Sequence, residues 1–281
     1  MISAVVITKN EENNIEKCLN SLLWCDEIIV IDDYSEDKTV QKISILNSLI
    51  SNKNPNIQII MHKLNGDFAS QRNFGMEKAK GEWVLFVDAD EEVTEELKNE
   101  ILSACHSELV SESEIPKQVF DREAQTESVR DDTTQLNGFY FKRQDFFEGR
   151  WLKYGETSDV RLLRLARKKS GKWQGRVHER WLAEGMVGNL TSPLLHYPHK
   201  TLSEFLTEIN YYSTIRAKEL HETGVSVRFW QIIFYPKIKF LQNYFLKLGF
   251  LDGFPGLIMA IVMSFHSFLV RGKLYLLSRN R

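Results

Sequence analysis

At 281 residues the chain is long enough for one large domain plus an appendage, and its 43% hydrophobic and 26% charged residues are those of an ordinary globular protein. The net charge of −2 names no partner, but eight Lys/Arg against one acid beyond Val225 leave the C-terminal part basic and the remainder acidic. Three cysteines, Cys18, Cys25 and Cys105, lack metal-ligand spacing and are odd in number, which fits a reducing compartment, and Met1–Val5 runs into a strand without a signal-peptide pattern. A cytoplasmic protein without a nucleic-acid partner is therefore expected.

In chain order, Ser3 to Thr8 is an apolar, β-branched run that predicts a buried strand. Asn10 is placed as the N-cap of a helix carrying Glu11 and Glu12 in its first turn and Ile15, Leu19, Leu22 and Leu23 at helical spacing. A second strand, Glu27 to Ile31, ends in Asp32-Asp33-Tyr34-Ser35, with Ser35 able to cap the next helix. Ile57 to Met61 predicts a third strand, followed by Gly66-Asp67 and a helix from about Ala69 to Ala79. Trp83 to Val87 then forms a fully apolar strand that stops at Asp88-Ala89-Asp90. Four β-α units in series predict an α/β fold, a mostly parallel sheet with helices on both faces.

Ser103 to Thr134 breaks this rhythm: it is polar and acidic, has one aromatic residue, and reads as an exposed insertion. Strands resume at Gly138–Arg143, Val160–Leu165 and Leu194–Tyr197. Thr201-Leu202-Ser203-Glu204 is a capping box opening a helix with Leu202, Phe205, Leu206, Ile209 and Tyr212 on one face. Aromatics interleave with Lys237, Lys239 and Lys247, and Phe254 to Val270 is mostly apolar but interrupted by Pro255, Gly256 and His266. Three readings stand for this region: docking on an anionic membrane surface, which the Lys-aromatic mixture favours, a true span, or a buried or oligomer-forming helix.

The chemistry concentrates at the strand ends. In an open α/β sheet, ligands bind beyond the carboxyl ends of the strands, where Asp32/Asp33 and Asp88/Asp90 fall. Carboxylate oxygens suit Mg²⁺ or Mn²⁺ shared with phosphates; the plain alternative is an acidic turn leading into a solvated helix start at Glu91, Glu92, Glu95 and Glu96. The first strand is followed by Thr8-Lys9-Asn10-Glu11, not a glycine-rich turn, and no P-loop is present, so neither a dinucleotide fold nor a P-loop NTPase is expected.

Val5-Val6-Ile7-Thr8-Lys9-Asn10-Glu11, Ile31-Asp32-Asp33-Tyr34-Ser35-Glu36-Asp37, Gln71-Arg72-Asn73-Phe74-Gly75 and Val87-Asp88-Ala89-Asp90 resemble, in order and spacing, the motif series of the family-2 inverting glycosyltransferases with a GT-A fold. Arg176–Trp181 and His196-Tyr197-Pro198-His199 resemble a narrower group, bacterial lipopolysaccharide-core transferases of the β-1,4-glucosyltransferase type. The resemblance implies a GT-A domain, placed over residues 1–200; the capping box and the basic, apolar stretch beyond it set off a helical, membrane-associating region over 201–281. It implies that Thr8, Asn10, Glu12 and Asp33 line a nucleoside pocket, that Arg72 lies near the diphosphate or the Asp-x-Asp loop, and that Asp88 faces the ribose or metal. Asp90 would be the main ligand of Mg²⁺ or Mn²⁺, and Glu179 the general base, with His178 its rival; His196 and His199 are further metal candidates.

The implied activity moves a sugar, glucose in the favoured case, from a nucleotide-sugar, UDP-linked by resemblance, to a lipid-linked glycan acceptor at the inner leaflet. A polyprenyl-phosphate acceptor is the alternative within enzymes, and a non-catalytic membrane adaptor the alternative outside them. The absence of Gln-x-x-Arg-Trp and of a bundle of long apolar spans argues against a processive synthase. Oligomeric state is open.

Overall fold

The computed structural model describes residues 1–50, 55–106, 136–176, 179–198 and 201–279. Its N-terminal part alternates β1 (Ile2–Thr8), α1 (Ile15–Asn20), β2 (Glu27–Asp32), α2 (Thr39–Ile50), β3 (Asn56–Met61), α3 (Phe68–Lys78) and β4 (Trp83–Asp88). The four strands pair in parallel in the order β3-β2-β1-β4, with Thr8 opposite Asp32 and Ile7 opposite Asp88. That register brings the carboxyl ends of β1, β2 and β4 to one edge. Trp83 to Val87 are at most 3% exposed; burying each large apolar side chain contributes roughly 1.5–3 kcal/mol, ample to hold Asp88 at the strand's end.

The sheet is mixed beyond β4. After β5 (Glu91–Val93) and α4 (Glu95–His106) come β6 (Leu136–Phe147), β7 (Arg150–Trp151), β8 (Arg161–Arg167), β9 (Gly171–Gln174), β10 (Arg180–Ala183), β11 (Met186–Asn189) and β12 (Leu194–His196). The ladder continues β4-β8-β6-β12-β5, and β4–β8, β8–β6 and β12–β5 are antiparallel. One face packs under α1, α2 and α4 around Ile15, Leu19, Ile43, Leu97 and Ile101; the other packs under α3 and the β9–β10 ribbon around Met76, Trp173 and Trp181.

Gly75 lets α3 lie close to this second face: a Cβ there would stand 2.5 Å from Val5 Cγ1. Gly75→Ala is expected to cost about 1–3 kcal/mol in urea unfolding, the usual penalty of overpacking a filled core; an unchanged midpoint would show that α3 can slide freely.

Several local expectations are corrected. Asn10 is not a helix cap: α1 begins at Ile15, and Asn10 adopts left-handed φ of 56°, a conformation that Asn tolerates better than most residues. Asp37, not Ser35, receives the Thr39 amide at the start of α2, because Ser35 is bound to Asp32 and to the Asn10 amide. Glu91 and Glu92 form part of β5 instead of a solvated helix start, and Glu91 is 1% exposed. Ser103 to His106, assigned to the insertion, complete α4; 107–134 lie outside the described residues.

Three helices complete the chain: α5 (Leu202–Glu222), α6 (Phe229–Leu241) and α7 (Gly253–Arg279). Thr201 caps α5, its hydroxyl accepting the Glu204 amide at 3.1 Å, as its sequence predicts. The buried face is Phe205, Ile209, Ser213 and Ala217, at strict i, i+4 spacing, while Leu202 and Leu206 are exposed. Pro255 does not interrupt the apolar run, because it falls in the first turn of α7, where no backbone donor is needed. The continuous helix, with the turn before it, spans Gly249–Arg279 and is, among the described residues, the one long and apolar enough to cross a membrane.

Candidate active site

The site is built around Asp88. Its Oδ1 accepts from Arg72 Nη2 at 2.8 Å and its Oδ2 from Arg164 Nη2 at 2.5 Å. Arg72 also donates Nε–H to Glu179 Oε1 at 2.8 Å, so one guanidinium joins β4 to the segment before β10. Arg164 reaches Glu91 Oε1 at 3.3 Å, and Glu91 Oε2 accepts the Asp88 amide at 2.8 Å. Both arginines are nearly inaccessible, at 2% and 4% exposed, and the Arg72 guanidinium also lies 4.7 Å from the Trp173 ring centre. Burial opposes ionisation of Asp88, but Arg164 and Arg72 outweigh it and hold the carboxyl far below the usual range. For Glu91 burial wins over Arg164, helped by the neighbouring Asp88 charge, and its carboxyl is raised.

Asp90 has different partners. Its Oδ2 lies 3.2 Å from His196 Nε2, while His196 Nδ1 lies 2.9 Å from Asp145 Oδ1 and Arg143 pairs with Asp145 at 2.8 Å. Burial favours neutral imidazole, yet the Asp90 and Asp145 carboxylates prevail and push His196 up to about 10. The Tyr197 amide donates to the Asp90 carbonyl at 2.8 Å, tying the end of β12 to the acidic loop.

The residues assigned to the nucleoside pocket lie at the neighbouring strand ends. Thr8 is buried and its hydroxyl has no partner among the described residues. Asp33 holds Lys9 Nζ at 2.7 Å and the Leu64 amide at 2.9 Å, fixing the turn after β3. Asn10 Oδ1 accepts the Glu36 amide at 2.8 Å and Glu12 Oε2 the Lys38 amide at 3.1 Å, so both bind the β2–α2 loop. His178 and His199 lie outside the described residues. Arg72, Asp88 and Glu179 are thus joined directly, Asp90 stands beside them, and Thr8 and Asp33 line the adjoining edge.

α5 packs against α7 and the end of β6, and meets the start of α3 through one ring contact. The Tyr212 ring packs 6.1 Å from Phe68, the first residue of α3 and one turn ahead of Arg72. Burial, with the Glu208, Asp90, Asp88 and Glu179 carboxylates, pushes the Tyr212 hydroxyl above its ordinary range. An open cavity of about 700 Å³ flanks the site along the outer side of α3, lined by His62, Asn73, Trp173, Arg176 and Glu222 among others. Among the described residues, no group of three or more His, Cys, Asp and Glu is arranged as a metal-binding cluster.

A model of the family described as Glycosyl transferase family 2 matches residues 3–170, the segment that builds β1 to β8. The chain belongs to glycosyl transferase family 2. The transferase is 30% identical over 277 residues to the lipopolysaccharide core biosynthesis glycosyltransferase LpsC of Rhizobium meliloti, covering 98% of this chain and 92% of that one. It is 26% identical to an uncharacterized glycosyltransferase of Rickettsia prowazekii, over 97% of this chain and 86% of that one. Among solved structures, S. aureus TarS 1-349 in complex with UDP-GlcNAc aligns at 15% identity with a TM-score of 0.46, covering all of this chain and 92% of that one. The transferase is therefore an enzyme of GT-A type, and the non-catalytic adaptor is set aside.

Sequence reading of the transferase missed Arg164, Glu91 and Asp145. Arg164 had a signal: a charged residue amid the apolar run Leu162 to Ala166 needs a buried partner.

Proposed function

We propose that the transferase moves a sugar, glucose in the favoured case, from a UDP-linked donor to a lipid-linked glycan acceptor such as a lipopolysaccharide core, with inversion and with Mg²⁺ or Mn²⁺. The observation that carries this reading is the contrast between the carboxylates. Asp88 is saturated by two arginines, whereas Asp90 and Glu179 each keep one oxygen without a partner among the described residues. Glu179 Oε1 is held by Arg72, which leaves Oε2 to accept the proton of an attacking hydroxyl. A base on one side and a departing diphosphate on the other suit a single in-line displacement, which inverts the anomeric carbon.

The donor set fits a hard cation shared with substrate: Mg²⁺ characteristically takes one or two protein carboxylates and completes its shell with phosphate and water. Asp90 would hold it together with the donor phosphates. When bound, the ion stabilises charge on the leaving diphosphate as a Lewis acid. Thr8 and Asp33 would line the nucleoside pocket, Asn10 and Glu12 would shape it through the β2–α2 loop, and His178 remains the rival base.

The lipid-linked acceptor is supported by the similarity to LpsC and by the C-terminal helices. Phe229, Trp230, Phe234, Ile238, Leu246 and Phe254 are each at least 48% exposed, and Lys237 and Lys247 stand among them. Apolar rings beside ammonium groups suit an anionic leaflet. The helical region would thus hold the enzyme at the inner membrane surface.

Calorimetric titration of UDP, GDP and dTDP, with and without Mn²⁺, tests the donor assignment. One nucleotide is expected to bind in a metal-dependent manner, and Asp90→Ala to remove the metal dependence. Well-folded wild-type protein that binds none of the three would overturn the reading.

A further inference from the structure

Glu179 leads into β10, and among the described residues β9 and β10 pair only with each other, as a two-stranded ribbon outside the ten-stranded sheet. Aromatic rings press this ribbon onto the sheet. Trp173 and Trp181 meet the Phe86 ring edge to face, at centroid distances of 5.1 and 5.2 Å. Neither indole N–H has a partner among the described residues, so the two rings supply burial and no directed bond. Apolar burial is non-directional: it holds the ribbon down without fixing its position along its own axis.

The directed bonds come from α3. Asn73 Nδ2 donates to the Trp173 carbonyl at 3.0 Å, and Asn73 Oδ1 accepts the Trp173 amide at 2.9 Å. One side-chain amide thus takes both backbone groups of a single residue, as the facing residue of a neighbouring strand would. The Phe68 amide adds a bond to the Arg176 carbonyl at 3.1 Å. Trp173 stands opposite Trp181, just beyond Glu179, so the residue that Asn73 fixes lies beside the strand that carries the carboxylate. The far end of β9 is held elsewhere, by the chain from β8 and by Ser170, whose hydroxyl donates to the Arg167 carbonyl at 2.7 Å. Arg72 holds the tip of the Glu179 side chain by one bond at 2.8 Å; the adjacent Asn73 holds the ribbon's backbone by two.

We propose that Asn73 is the positioning residue of Glu179: its two bonds to Trp173 fix the register of the ribbon on α3 and keep the carboxylate within reach of the attacking hydroxyl. The proposal rests on the general-base reading of Glu179 given above. Asn73 acts through the ribbon, so its effect on turnover exists only while the base is present.

The test is a double-variant cycle read as UDP release from UDP-glucose, UDP-galactose and UDP-N-acetylglucosamine. Lipopolysaccharide truncated in its inner core serves as acceptor, Mn²⁺ is present, and the donor that the wild type turns over fastest is taken forward. Asn73→Leu is close to isosteric and cannot bond Trp173. It is expected to lower kcat about 10- to 100-fold, the cost of a misplacement of roughly 1 Å, with the donor KM within about two-fold of wild type. Added to Glu179→Gln, it should lower kcat by less than about two-fold, because residues that act as a unit are not additive. A thermal melt establishes that each variant is folded, and Asn73→Asp, which keeps an oxygen for the Trp173 amide, carries the same cycle if Asn73→Leu does not fold. An equal loss in both backgrounds, or no loss in either, would overturn the role of Asn73. Wild-type kcat in Glu179→Gln alone would instead sink the general-base reading, and no UDP release by the wild type would sink the nucleotide-sugar reading; either takes the proposal with it.

Discussion

Glu179→Gln is expected to slow sugar transfer by about 10²- to 10⁴-fold, the range supplied by a positioned general base, while leaving nucleotide affinity near wild type. The amide keeps an oxygen for Arg72 Nε, which Glu179 Oε1 accepts at 2.8 Å, so the bridge to Asp88 survives and the proton acceptor alone is lost. Steady-state turnover alongside calorimetric UDP binding separates the two effects. A variant that retains wild-type turnover would point to an acceptor that is already anionic, such as a polyprenyl phosphate, which needs no base. A variant that loses UDP binding as well would show that the network around Arg72 had collapsed.

Replacing Arg164 by Met should destabilise the fold by about 3–5 kcal/mol, the cost of stranding a buried charge. Glu91, 1% exposed, loses its cationic partner, and Asp88 is left with Arg72 alone. Urea unfolding of the purified variant measures this directly. Adding Glu91→Gln should recover part of the loss, because the orphaned carboxylate is then neutral. If the double variant is as unstable as the sum of the singles, Arg164 contributes through packing and not through charge. The network's purpose is geometric: two arginines hold Asp88, and one of them holds Glu179.

The placement of the candidate site's acids was legible in the sequence. Apolar runs ending in acids located Asp33, Asp88 and Asp90 at strand ends, since a strand buried on both faces can place a carboxylate only where it leaves the sheet. The metal-facing assignment of Asp88 was less complete, because the two guanidiniums that take its oxygens come from α3 and β8, 16 and 76 residues away. A solvated Glu91 stood as the plain alternative because charge in a sequence window carries no record of its partner. Asn10 fitted a capping pattern, but the true helix starts at Ile15, and Asn10 instead joins two loops that meet only because β1 and β2 are neighbours.

By itself the sequence determined the parallel β-α half, the edge that carries the candidate site, the family, and the apolar, basic character of the C-terminal helices. The β-α half and the helices follow from local periodicity, the edge from acids that strands cannot bury alone, and the family from the resemblance of its motif series. Tertiary structure alone decided which carboxylates are neutralised by partners among the described residues, the antiparallel continuation beyond β4, and the grip of Lys273 of α7 on Asn210, Ser213 and Thr214 of α5. Each of these depends on contacts between distant segments, and a buried ion pair or a helix's facing direction is a property of the pair, absent from either segment taken alone.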